Sequence, residues 1–316
     1  MLVMNDPDAM RNQPKHKNHF TPVLYLRNYC DRDGVLHAVS PTDGHRWKSS
    51  PAGIGYERGL YWPNNLEEGE DPNKYEDAFC NFEGEAAPVI NEIIARRRMP
   101  TDDEQLGMLF NFIAFQAVRG PNARRAIAAP REDTTRMIMD RLVSSRELYE
   151  SQMRRSGHSL DKYPYEKFIQ GQYEPYLTTE GFLDGAMTIM DTILRYLHRR
   201  SWSVLFSDRS GEQFVVSDHP VALTWSDDRH TRVGPGHAHL KTDVTFPLSS
   251  SVALLGRYEP LEPVMEAPRE NVAAVNSKTI HHAQRFVAGC SDEFMLMRDS
   301  NIVVTAEQFI ADLKPK

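Results

Sequence analysis

Apolar residues recur at spacings of three and four between Tyr75 and Arg98. Phe79, Phe82, Ala86, Ala87, Ile90, Ile93 and Ile94 trace one stripe, and Arg96, Arg97 and Arg98 follow where cations suit a helix C-terminus. Met99-Pro100 interrupts the pattern. Thr101 is placed to cap a second helix with Glu104 three residues on, and Leu106, Leu109, Phe110, Ile113 and Ala117 carry the stripe to Arg119. The short turn between the two predicts an antiparallel helical hairpin. A third helix is expected from about 132 to 155, and a fourth from 181 to 200 with Met187, Met190, Ile193, Leu194 and Leu197 on one face. Between them RSGHSLDKYPYEKFIQGQYEPYL is polar and rich in tyrosine, the composition of a lid, a partner surface or a linker with helical fragments.

From about 202 the period shortens. SWSVLFSD and EQFVVSD are β-branched or aromatic runs joined by Asp208-Arg209-Ser210-Gly211, and VTFPLS and SVALLG repeat the habit around Ser249-Ser250. An antiparallel sheet over about 202–266 is predicted, then a helix from Pro268 to about Ala283, a strand RFVAG and a short helix near 305–313. At the other end, VLHAVS and HRWKSS flank PTDG, a hairpin signal. Just before it, HFTPVLYLRNY starts a short helix, with Thr21 as its cap and Pro22 at the first helical position. Residues 51 to 74, with Tyr56, Tyr61 and Trp62, read as an ordered surface loop. The expectation is an α+β fold: helical hairpins packed on an antiparallel sheet in the C-terminal half, with a small N-terminal β-hairpin. Residues 1–15 form a flexible arm and 16–316 a single α+β domain, helical over about 75–200 and sheet over about 201–290.

Composition narrows the class. An apolar fraction of 40% and a charged fraction of 26% describe an ordinary globular chain. A net charge of −7 argues against a globally basic nucleic-acid coat but leaves room for a local basic groove. Cys30, Cys80 and Cys290 are odd in number, far apart and without C-x-x-C spacing, so neither a disulfide framework nor a zinc ribbon is indicated. No stretch has the apolar length of a signal peptide or a membrane helix, and a reducing cytoplasm with no membrane partner is the expectation.

Six segments in order, HFTPVLYLRNY, YEDAFCNFEGEAAPVI, FQAVRGP, VVSDHPV, TFPLSS and AVNSKTIHHAQRFV, resemble a bacterial family, the domain-of-unknown-function family 4238. The resemblance spans about 16 to 290 and implies no reaction, because the family is defined by sequence. Chemistry has to be read from the residues.

His19 is either a packed, hydrogen-bonded group near a helix start or a general acid/base or metal ligand, since a free imidazole titrates near neutrality. Glu76 and Glu83 are seven apart, so a helix points both the same way, roughly 10 Å apart along its axis. Glu85 falls on the far side, toward solvent. Arg119 either offsets a helix dipole or clamps an anion with its planar fork of donors, and Arg124 and Arg125 would widen such a patch. Asp218 leaves a strand end, a common place for chemistry, although an Asp before a turn often caps its own backbone. Within the resemblance that segment rests on Asp218 and Pro220, and asparagine is common at the position of His219. Asn276 does not share a helical face with His281 or His282, and that histidine pair alone is not a metal motif; His237 and His239 would share a face on a strand but sit in a glycine-rich loop, so both pairs stay minor alternatives as metal sites. P-loop, dinucleotide, zincin and nucleophile-elbow signatures are missing from the sequence.

Two functional classes fit. The first is a hydrolase acting on a phosphate-containing substrate, a nucleotide or nucleic acid. Its catalytic residues would be His19, Glu83 and Asp218, its substrate-binding residues Arg119, Tyr25 and Asn276, with a divalent metal as a candidate cofactor. The second is a non-catalytic binding or protein-interaction module in which these residues lock the fold and 144–178 meets a partner. Whether the motif residues converge on a concave pocket discriminates them.

Overall fold

The computed structural model describes residues 17–64, 66, 70–170, 175–209, 211–227, 234–298 and 302–312; the expected arm, 1–15, lies outside them. The described chain opens with strand β1 (Lys17–His19), helix α1 (Val23–Leu26) and a 3₁₀ turn, Arg27–Tyr29. The hairpin β2 (Leu36–Val39) and β3 (Arg46–Ser49) forms where PTDG predicts it. Gly44, at φ 73°, turns the chain in the left-handed region that a side chain resists. The surface loop that follows contains a strand, β4 (Tyr56–Arg58), which pairs antiparallel with β1.

Six helices come next: α2 (Lys74–Arg96), α3 (Asp103–Arg119), α4 (Pro121–Val143), α5 (Arg146–Arg155), α6 (Tyr165–Ile169) and α7 (Thr179–Leu197). The helix α2 buries the expected stripe and ends at Arg97, whose left-handed φ of 52° turns its guanidinium onto Asp208 at 2.5 and 2.6 Å. Asp102, not Thr101, caps α3 by accepting from the Gln105 N–H at 3.0 Å. Helix α3 is the central rod. Leu109, Phe110, Phe112, Ile113, Phe115 and Val118 are all buried, and Phe110 and Phe112 reach Trp202 and Phe246 across the helix–sheet interface.

The third helix begins eleven residues earlier than its apolar pattern suggests, because Pro121 starts it directly after Gly120. It stops at Val143, and Ser145 caps α5. The tyrosine-rich stretch packs on itself: Tyr149, Met153 and Phe168 form a satellite core with Met139, and the Tyr149 and Tyr165 hydroxyls donate to the carbonyls of Tyr163 and Val143. Residues 171–174 of that stretch lie outside the described residues.

The remaining elements are β5 (Ser201–Phe206), β6 (Val216–Ser217), β7 (Ala222–Trp225), β8 (Thr242–Pro247), β9 (Val252–Arg257), β10 (Val264–Glu266), α8 (Arg269–His282), β11 (Val287–Gly289), β12 (Met295–Arg298), β13 (Ile302–Thr305) and α9 (Ala306–Asp312). A five-stranded sheet runs β10-β5-β9-β8-β7, and a four-stranded sheet runs β3-β2-β11-β6, with β1-β4 and β12-β13 as separate pairs. The fold is α+β. Strands β8 and β9 form the expected hairpin, but β5 and β6 do not pair with each other. Six residues of β5 register with β9, a longer ladder than two-residue β6 offers, and β10 adds to β5 in parallel. Among the described residues no helix is long and apolar enough to cross a membrane.

Candidate functional site

Strand β1 has one strand neighbour, so the outward N–H and C=O of His19 need other partners. Side chains supply them. The Glu76 carboxylate accepts from the His19 N–H at 3.3 Å and from the Asn18 amide at 3.1 Å, while Arg119 donates Nη2–H to the His19 carbonyl. Arg119 also donates Nη1–H to Glu83 and Nε–H to the Tyr61 hydroxyl at 3.3 Å. Its guanidinium lies 4.5 Å from the Phe115 ring centre and 5.4 Å from that of Phe79. Each of the three guanidinium nitrogens donates a hydrogen bond inside the protein, and the side chain is 3% exposed. Burial works against this charge, and Tyr61 and Glu83 together more than offset it.

The expectation that Glu76 and Glu83 face one way therefore holds. Both reach the same short strand, Glu76 directly and Glu83 through Arg119. Burial raises the Glu76 carboxyl above its ordinary range, against the hydrogen bond from His19, the charge of Arg119 and the hydrogen bond from Asn18. The His19 imidazole departs from this cluster. It packs 5.6 Å from the Tyr56 ring, its Nε2 is buried without a partner, and burial lowers its pKa. The Ala52 carbonyl opposes that shift, and the charges of Arg119 and Lys17 add to it. The structure brings the backbone of His19 to Glu76 and Arg119, not its ring to Glu83.

Asp218 is 1% exposed and faces the chain leading into β11, accepting from the Gln284 N–H at 2.9 Å. Burial raises its pKa, while the N–H groups of Gln284, Arg285 and Phe286 oppose the rise. Its Oδ2 has no hydrogen-bond partner. Gly120 passes so close that a Cβ there would lie 2.9 Å from the Asp218 carbonyl oxygen. Asn276 is a second tie: its Oδ1 accepts from the Val215 N–H at 3.0 Å and its amide donates to the Gln213 and Met295 carbonyls at 2.8 and 3.0 Å. Tyr25 stacks on Phe246 at 5.3 Å and donates to the Pro247 carbonyl, while Asn28 donates to the Leu248 carbonyl.

A cleft of about 450 Å³ opens elsewhere, walled by Ala117, Ile193, Val221, Leu223, Trp225 and Pro235. Four histidines, His219, His237, His281 and His282, and Thr224 line the rest of it. His219 and His282 stack at 5.8 Å with rings 11° from parallel. Burial, then the proximity of His282, brings His219 down to about 4, and burial, then Arg200, brings His237 to about 4. Burial also lowers His282, against the carbonyls of Lys278 and Leu223, with the charges of His281 and Lys278 adding to the shift. Nδ1 of both His219 and His237 is buried without a hydrogen-bond partner. Among the described residues, no three His, Cys, Asp or Glu side chains are grouped to hold a metal ion.

A profile of the family described as "Protein of unknown function (DUF4238)" matches residues 17–293. The chain belongs to this family. No curated protein and no solved structure matches it.

The six segments contact one another in the fold. HFTP and YEDAFCNFEGE join at Glu76, and Arg119 of FQAVRGP joins both; LYLRNY seats on TFPLSS; SDHP receives Gly120 and the Gln284 N–H of HHAQ; Asn276 of AVNS holds Gln213 and Val215 of QFV. The histidine cleft was not legible in any one segment. Its histidines come from three separated stretches, and His237 diverges from His239, which stacks on Trp225 at 5.0 Å.

Proposed function

We propose that this DUF4238 protein is a non-catalytic binding module, in which the polar motif residues hold the fold and the histidine-lined cleft receives a small ligand. One observation carries the reading: the Arg119 guanidinium, the natural anion clamp, has every nitrogen committed to Glu83, His19 and Tyr61. Asn276 and Tyr25 are likewise occupied by backbone carbonyls and N–H groups. A cleft with an apolar floor and a few convergent polar groups has the build of a small-molecule site.

A hydrolase of phosphate-containing substrates is the second reading, favoured by the His19 imidazole, which burial keeps neutral and whose Nε2 has no partner. Purified wild type and His19→Ala, incubated with pooled RNA, DNA and nucleotides with and without Mg²⁺ or Mn²⁺, separate the two. The binding reading expects no turnover by either protein. Turnover by wild type that disappears in a His19→Ala variant with an unchanged urea midpoint would replace it with the hydrolase.

A further inference from the structure

The cleft is unusual in what it lacks. Among the described residues no free lysine or arginine lines it: the nearby Arg200 donates to the Thr242 carbonyl, the Thr242 hydroxyl and the His237 carbonyl, and Lys278 pairs with Asp243 at 3.2 Å. That aspartate is also held by Arg257 at 2.8 Å, and among the described residues no carboxylate lines the cleft. What remains is an apolar lining with one indole, that of Trp225, and the imidazoles of His219 and His237, held in their uncharged form.

A neutral imidazole carries one N–H and one bare nitrogen. Sealing Nδ1 of His219 and His237 away from any acceptor favours leaving that nitrogen bare, since a buried N–H without an acceptor is the costlier orphan. The proton then sits on Nε2 and points into the cleft as a donor. The Thr224 side chain adds a hydroxyl at the wall.

Resting on the binding reading above, we infer that the cleft takes an uncharged, aromatic small molecule bearing a carbonyl-type acceptor, its ring against Trp225 and its acceptor against the Nε2–H donors of His219 and His237. An anion would have to protonate an imidazole to gain a counter-charge. With a pKa of about 4, His219 and His237 are each protonated in only about one molecule in a thousand at neutral pH. A cation meets no carboxylate among the described lining residues, and a charged ligand gives up hydration that these residues do not replace.

The test uses the full chain and three probes that share a ring system and differ in charge: 2-naphthamide, 2-naphthoate and 2-naphthamidinium, titrated at neutral pH by ligand-observed NMR. The amide is expected to bind about tenfold or more tighter than either ion. Trp225→Ala and His237→Leu should each weaken it about fivefold or more, and Glu85→Gln, on the exposed face of α2, should leave it unchanged. Equal or tighter binding of naphthoate or naphthamidinium, lost in Trp225→Ala, overturns the ligand class and leaves the binding reading standing. Amide binding that survives both cleft substitutions overturns the assigned site. Failure of all three probes to bind a protein with native circular dichroism overturns this inference and removes the cleft from the binding reading as well.

Discussion

The Arg119 cluster and the histidine cleft are both built from polar side chains, yet they treat their hydrogen-bonding capacity in opposite ways. Around Arg119 a buried cation, a buried carboxylate, a phenol and the free edge of β1 satisfy one another. Around the cleft, burial has discharged His219 and His237 and left their Nδ1 atoms without protein partners. Charge alone therefore does not mark a functional site. A charge that is paired on all sides holds structure, whereas an uncharged polar group without a partner beside open space is where a ligand has something to offer.

Breaking the closed cluster should have the largest effect. Arg119→Met leaves the Glu83 carboxylate and the His19 carbonyl buried without a donor, and a loss of about 3–5 kcal/mol in urea unfolding is expected. Asn276→Ala removes three hydrogen bonds at a fully buried position and should cost about 2–4 kcal/mol by the same measurement. A loss below about 1 kcal/mol for either would mean that the cluster is not the structural tie described.

Proton linkage distinguishes the cleft. Unfolded imidazoles take up protons near pH 6.5, while those of His219 and His237 resist until about 4. The unfolded state therefore binds more protons within that window, and stability falls as the pH drops through it, by an amount of order 2–3 kcal/mol per imidazole. The double variant His219→Leu/His237→Leu should flatten this part of the stability–pH curve. Gly120→Ala probes the seam between the two regions. Its Cβ would meet the Asp218 carbonyl at 2.9 Å, and about 1–3 kcal/mol of destabilisation is expected from the forced shift. The smallest effect belongs to Trp225→Ala, on a half-buried wall, which should lower stability by about 1 kcal/mol or less and act chiefly on probe binding.

Much of the fold follows from short-range patterns. The stripes that bury Phe79, Ile90 and Ile93 on α2 and Leu109, Phe110 and Ile113 on α3 repeat within a few turns, and the β2–β3 and β8–β9 hairpins close across a few residues. Strand β6 was harder to place, because Val216 and Ser217 pair with β11, some seventy residues on. The same holds for the polar groups. Helical period shows that Glu76 and Glu83 point one way, but nothing within reach of either in the sequence reveals that they meet a strand sixty residues earlier.

By itself, then, the sequence determined the helices α2, α3, α7 and α8, the local hairpins, the α+β class and the family, since these rest on spacings of two to four residues and on segments read in order. The tertiary structure alone decided which polar residues are spent and which are open. Arg119 became a tie because α3 delivers it beneath the unpaired edge of β1, and His219, His237 and His282 became one cleft because β7, α8 and the loop before β8 converge. A side chain's chemistry is written in its residue type; its partners, burial and ionisation are set by what the rest of the chain places against it.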